Sequence, residues 1–140
     1  MNAEEKDLLL NDLNGRLRYG VKFPMMLWDE ETGESIRPVT LYSVSQDGYC
    51  RVLEDDYMPY IDEIKPYLFP LSSMTEKQKE EYYYIVNYIS PDDTENLVEG
   101  EFVYVNQINQ LLHFYHMNHL DYRGLIPQDL AIDATGKNVY

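Results

Sequence analysis

Residues 106–132 read NQINQLLHFYHMNHLDYRGLIPQDLAI, and the fold is decided there. Asn106 carries a capping side chain, whose oxygen can accept from a first-turn N–H that has no other partner. Ile108, Leu111, Leu112, Tyr115 and His119 follow at three- and four-residue steps. At about 100° per residue they share one stripe, which predicts a helix lying on a core and ending near Asn118 to Leu120. Asn109, Gln110, His113, Met117 and Asn118 fall off that stripe. Asp121-Tyr122-Arg123-Gly124 reads as a turn, with Gly124 free to take positive φ. Leu125 and Ile126 then return apolar surface to the core. Beyond Pro127 two readings stand: a short helical segment over Gln128 to Leu130, or a short strand in which Leu130 and Ile132 alternate with small or polar neighbours.

Working outward, Phe102 to Val105 either adds a short strand or leads into the closing helix, and Asp92 to Glu101 is an acidic surface loop. A helix is predicted from about Glu76 to Ile89. Tyr82, Ile85, Val86 and Ile89 form its buried stripe, Ser90-Pro91-Asp92-Asp93 stops it, and Thr75 with Gln78 or Ser73 with Glu76 matches a capping box. Pro59, Pro66 and Pro70 forbid a regular helix throughout 57–71. Met58, Tyr60, Ile61 and Ile64 there suit a short helical turn or an extended edge. Lys65 to Pro70 is expected to extend along the sheet and bury Leu68, with Tyr67 a second candidate for burial.

Between Tyr19 and Leu53 the period changes to two. Val21 and Phe23 alternate with Lys22, Pro24 argues for an edge strand or bulge, and Met25 to Trp28 is apolar on both faces. Asp29 to Glu34 suits a hairpin loop, and Ile36 to Ser45 is a second strand. Asp47-Gly48 predicts a type I′ turn into a third strand, Tyr49 to Leu53. At the start, Ala3 to Asn14 reads as a helix with Leu9, Leu10, Leu13 and Leu17 on its apolar face and Gly15 as its stop. The order predicts an α+β fold: a small antiparallel β-meander of three to four strands packed with about three helices, in a single globular domain over 1–140.

Apolar residues make up 44% of the chain, which is a globular composition. No apolar run approaches the ~18–20 residues of a membrane span, and MNAEEKDLLL lacks a basic n-region and cleavage site. The single cysteine, Cys50, excludes an internal disulfide. These features predict a cytoplasmic protein. Net charge is −14, from 25 acidic against 11 basic residues. That argues against direct nucleic-acid binding through phosphates and against adhesion to an anionic membrane. Two readings of the acid remain: a self-repelling, solubilising surface, or an acidic face that imitates nucleic acid in another protein's basic groove.

Chemistry is sparse. His113, His116 and His119 have H-x-x-H-x-x-H spacing, and Asp121 and Arg123 lie nearby. On a helix the outer pair diverge by roughly 120°, so they cannot easily converge on one ion. His119 is expected to be a hydrogen-bonded histidine near the helix end, and His113 and His116 are expected to be solvated. Cys50 lies in a predicted strand, so a buried, inert thiol is expected. There is no G-x-S-x-G, phosphate-cradling glycine loop, H-E-x-x-H or C-x-x-C. No catalytic residue, cofactor or metal is therefore assigned. The 14 tyrosines are the most unusual feature. Tyrosine buries area while keeping a polar handle, so Tyr57, Tyr60, Tyr67, Tyr83 and Tyr84 are candidate interface residues. Consecutive helical residues rotate by about 100°, so at least one of Tyr83 and Tyr84 must be exposed.

Three segments carry a resemblance: Leu17-Arg18-Tyr19-Gly20-Val21-Lys22, the run Ile64 to Thr75 with Ser72-Ser73-Met74-Thr75, and Asn118 to Ile126 with Asp121-Tyr122-Arg123-Gly124-Leu125-Ile126. In these the chain resembles a family of small uncharacterised proteins carried by phages, prophages and mobile elements of gut bacteria. The resemblance implies a cytoplasmic life inside a host and a protein that acts by binding; it carries over no catalytic residue. Three functions are consistent with the sequence. They are a non-enzymatic binding or assembly module acting on a protein partner or by self-association, an acidic inhibitor of a host defence or DNA-binding protein, and a small metal-dependent enzyme using His113, His116 or Asp121.

Overall fold

A computed structural model describes residues 1–88 and 101–140. Helix α1 spans Ala3–Arg16 and begins where the Asn2 side chain accepts the Glu5 N–H at 2.8 Å. Leu9 and Leu13 face the core, and Asp12 and Arg16 are buried on the same side. Gly15 does not end this helix. The chain continues through a 3-10 turn, Leu17–Tyr19, and stops at Gly20, whose φ is 71°. Gly15 serves packing instead: a Cβ there would lie 2.8 Å from Cε1 of His116.

The next three strands form the expected antiparallel meander, in the order β1 (Lys22–Asp29), β2 (Gly33–Val44), β3 (Cys50–Val52). Pro24 sits opposite Pro38 in the β1–β2 register. Strand β1 is an edge, and β3 pairs only with Leu41 to Val44, so neither proline removes a donor from a two-sided ladder. The β2–β3 connection is a hairpin, but not the two-residue type. Ser45 donates to Tyr49 O, Gly48 donates to Ser45 O, and only Gly48 takes positive φ, at 96°. Asp47 stays at negative φ because the loop has three residues, which need only one left-handed position. An added Cβ at Gly48 would also meet the Tyr60 ring at 2.8 Å.

Ile61–Glu63 is a 3-10 turn with Ile61 and Ile64 in the core. The segment after it departs from expectation. Tyr67–Pro70 forms β4, which belongs to a separate parallel sheet in the order β5-β4-β6, with β5 at Leu120–Asp121 and β6 at Ile132–Asp133. Leu68 is buried as expected. The partners of β4 lie more than fifty residues downstream, beyond helices α2 (Glu76–Tyr88) and α3 (Glu101–Met117), the crossover that a parallel pair requires. The tail past Pro127 is a turn followed by the short strand β6, with no helical segment over 128–130.

Thr75 and Gln78 form the predicted capping box at the start of α2: Gln78 N donates to Thr75 Oγ1 and Thr75 N to Gln78 Oε1. Ile85 is buried and Tyr82 half-buried, but Val86 is exposed. Ile89, the expected stop at 90–93 and the loop up to residue 100 lie outside the described residues. Residues 102–105 are helical rather than extended, so Asn106 is inside α3 and does not cap it. The buried side chains of α3 include Phe114 and His116, which lie about 200° apart around the helix, whereas Ile108 is 52% exposed. The single predicted stripe does not hold because α3 is covered on two sides, by α2 at Phe114 and by α1 at Gly15, where the missing Cβ admits the His116 imidazole.

Two apolar clusters result. The larger joins Leu9 and Leu13 of α1 to Phe23, Val39 and Leu41 of the meander and to Leu125 and Leu130 near the end of the chain. The smaller joins Ile85, Phe114 and Leu120, with Tyr82 and Tyr115 packed on them. The architecture is α+β, and among the described residues it has three α-helices, the antiparallel meander and the small parallel sheet.

Candidate interaction surface and the buried polar network

The predicted histidines do not form one site. His113 is exposed and shares a hydrogen bond with Tyr19 Oη at 2.6 Å. His116 is not solvated: it is 7% exposed and its Nε2 pairs with Tyr122 Oη at 2.8 Å. Burial, with Arg16 close by, pushes its pKa down to about 4. His119 lies past the helix end at φ 55° and stacks on Tyr140, with ring centroids 3.6 Å apart. Its Nδ1 is buried without a hydrogen bond, contrary to the expected hydrogen-bonded histidine, and burial lowers its pKa to about 4. Among the described residues, no three His, Cys, Asp or Glu side chains are grouped as a cation would need.

Asp121 and Arg123 have structural partners. The Asp121 carboxylate accepts the N–H groups of Leu125 and Ile126, both at 2.9 Å, and so holds the elbow closed. Arg123 Nε lies 3.3 Å from Asp12 Oδ1. Asp12 also receives Arg16, through Nε at 2.7 Å and Nη2 at 3.1 Å, and Arg16 Nη2 donates to Leu120 O. The Tyr122 ring lies close to both guanidinium groups, 5.4 Å from Arg16 and 5.1 Å from Arg123. This network ties α1 to the elbow after α3. Most of its polar groups are engaged with one another, Arg16 Nη1 being the one buried nitrogen of the network without a hydrogen bond, so it reads as a structural cross-brace.

The five tyrosines also separate. The Tyr57 hydroxyl donates to Glu63, and its side chain is exposed. Tyr60 packs edge-on to Tyr49, touches Lys6 and supports the core. Tyr67 is half-buried and its carbonyl accepts from Tyr140 Oη. Tyr83 and Tyr84 are both exposed on α2. Tyr84 and His113 line an open groove of about 490 Å³ between α2 and α3. No single tyrosine surface is assembled.

Among the described residues, a contiguous apolar surface lies on the meander. In β1, Phe23, Met25 and Leu27 face the core, so Pro24, Met26 and Trp28 point the other way. Met26 pairs with Ile36 and Trp28 with Glu34. Trp28 is 71% exposed, Ile36 66% and Met26 53%. Pro38, Tyr42 and Leu53 are exposed along the same three-stranded sheet. Beyond Leu53 an open depression of about 620 Å³ is lined by Tyr42, Arg51, Asp55, Asp56, Tyr57 and Met58. A single aromatic side chain on a surface is ordinary, whereas several neighbouring exposed apolar side chains make this face the candidate contact surface. The signal was present in the sequence, since Met25 to Trp28 is apolar on both faces. A sheet covered on one side must expose one of them.

Comparison with protein families, with curated proteins and with solved structures returns no match for this chain. No helix among the described residues is long and apolar enough to cross a membrane.

Proposed function

We propose that this chain is a non-enzymatic protein-binding module that engages its partner through the outer face of the meander. The observation that carries this reading is the cross-strand group Met26, Trp28 and Ile36, apolar and open to solvent on a regular sheet. Aromatic residues and methionine are enriched at interface cores, and a rigid sheet presents them with little entropy left to lose on binding. The reactive groups point the same way. Cys50 is buried and its thiol is pushed up to about 11, and His116 and Asp121 are occupied in bracing the fold. The resemblance to phage-carried proteins suggests a bacterial host as the source of the partner.

The test is affinity capture from a bacterial lysate with the wild-type chain and with Ile36→Asp, after circular dichroism has shown the two equally folded. Partners retained by the wild type and lost by the variant support the reading. Identical captured sets overturn it.

A further inference from the structure

We infer that the occupant of this face is a cationic protein segment with an apolar anchor, and not a second copy of the chain. The inference rests on the binding reading above and adds the chemistry of the partner. The hairpin joining β1 and β2 carries four carboxylates, Asp29, Glu30, Glu31 and Glu34, immediately beside Trp28. Asp29 uses one oxygen to hold the Glu31 N–H at 2.7 Å. Among the described residues, ion pairs engage the acids Asp12, Glu76 and Asp129 alone, so the hairpin carboxylates have no cation beside them. At the other end of the sheet Asp55 and Asp56, with Arg51 opposing them, line the depression next to Leu53. The apolar strip therefore runs from a uniformly acidic hairpin to a depression in which the carboxylates outnumber one guanidinium.

Charge then selects the occupant. A second copy of this chain also carries −14, so its approach to this face is opposed by net charge. Like charges juxtaposed in an interface oppose association, whereas opposite charges speed encounter and fix the register. A lysine- or arginine-bearing segment reverses the sign of that term. It also gains a cation–π contact with Trp28, while an apolar side chain covers Met26 and Ile36.

The chain has one tryptophan, so fluorescence reports on this face alone. The probes are an eight-residue peptide alternating Leu and Lys and its counterpart alternating Leu and Glu. The Leu–Lys peptide is expected to shift Trp28 emission to the blue in a saturable way, and its Kd should rise about tenfold between 50 and 300 mM salt as screening sets in. The Leu–Glu peptide should leave the emission unchanged. The triple variant Glu30→Gln, Glu31→Gln, Glu34→Gln should weaken Leu–Lys binding by about tenfold, whereas Glu4→Gln, Glu80→Gln, Glu81→Gln, with the same change in net charge, should weaken it less than about twofold. Three results would each overturn the inference. They are an equal response to the Leu–Glu peptide, equal losses in the two triple variants, and a blue shift that grows with protein concentration and with salt, the signature of a second copy. The binding reading fails separately. If partners captured from lysate depend on Ile36 but are not cationic, only the chemistry assigned to the partner is wrong.

Discussion

Arg16 and Asp12 form an ion pair one turn apart on α1, with Nε 2.7 Å from Oδ2 and neither side chain reached by solvent. Two charges removed from water are tolerable only together; Arg123 and the Leu120 carbonyl add further partners, and Arg16 Nη1 alone is left without one. Asp12→Asn should therefore destabilise the fold by about 3–5 kcal/mol, because it leaves the Arg16 charge buried and unpaired. Urea unfolding followed by circular dichroism measures this. Replacing Asp12 and Arg16 together by Leu and Met should cost much less than the single change. A single variant within about 1 kcal/mol of wild type would show that the pair is not a brace.

Gly15 makes the contact between α1 and α3 close. His116 cannot swing away from an added methyl group, because its ring is buried and held by Tyr122. Alanine normally stabilises a helix interior by about 1 kcal/mol over glycine. Here Gly15→Ala is expected to lose about 1–2 kcal/mol instead, since overpacking outweighs propensity. The cost should largely vanish in a His116→Ala background, which a double-mutant cycle reads directly.

His116 and His119 both hold their pKa near 4 in the folded chain, below the ordinary histidine value of 6.5. Unfolding restores that value, so between about pH 6.5 and 4 the unfolded chain binds more protons and stability falls as pH falls. Above that window the two histidines add no pH dependence. Each contributes at most about 1.4 kcal/mol per pH unit within it. Comparing wild type with His116→Gln and His119→Gln by urea unfolding at pH 7 and pH 5 isolates the effect from the carboxylates. Each variant should lose less stability than wild type over that step. Parallel behaviour of all three would contradict the buried placement of the rings.

Cys50 should be silent in the native protein. Burial raises its thiol to about 11, so at pH 8 the thiolate is scarce and shielded as well. Ellman's reagent is expected to find no reactive thiol in the folded chain and one per chain in urea. Rapid reaction of the native protein would place Cys50 at the surface.

Local rules were enough for much of this molecule. The Thr75–Gln78 box, the alternation of Val21 and Phe23, and the glycine at position 48 each depend on neighbours a few residues away, so periodicity and side-chain chemistry reveal them. The α+β class follows from those elements. The candidate surface was half legible, because an apolar β1 could be read, but which face remained uncovered could not. That outcome depends on α1 and the distant Leu125 and Leu130 filling the other side. The parallel strand β4 escaped prediction because Tyr67 and Phe69 find partners at Ile132 and Leu120, and no local pattern records pairing across such separations. His116 was misplaced for a related reason. Its environment is set by Gly15, about a hundred residues earlier, and burial between two helices is a property of their contact.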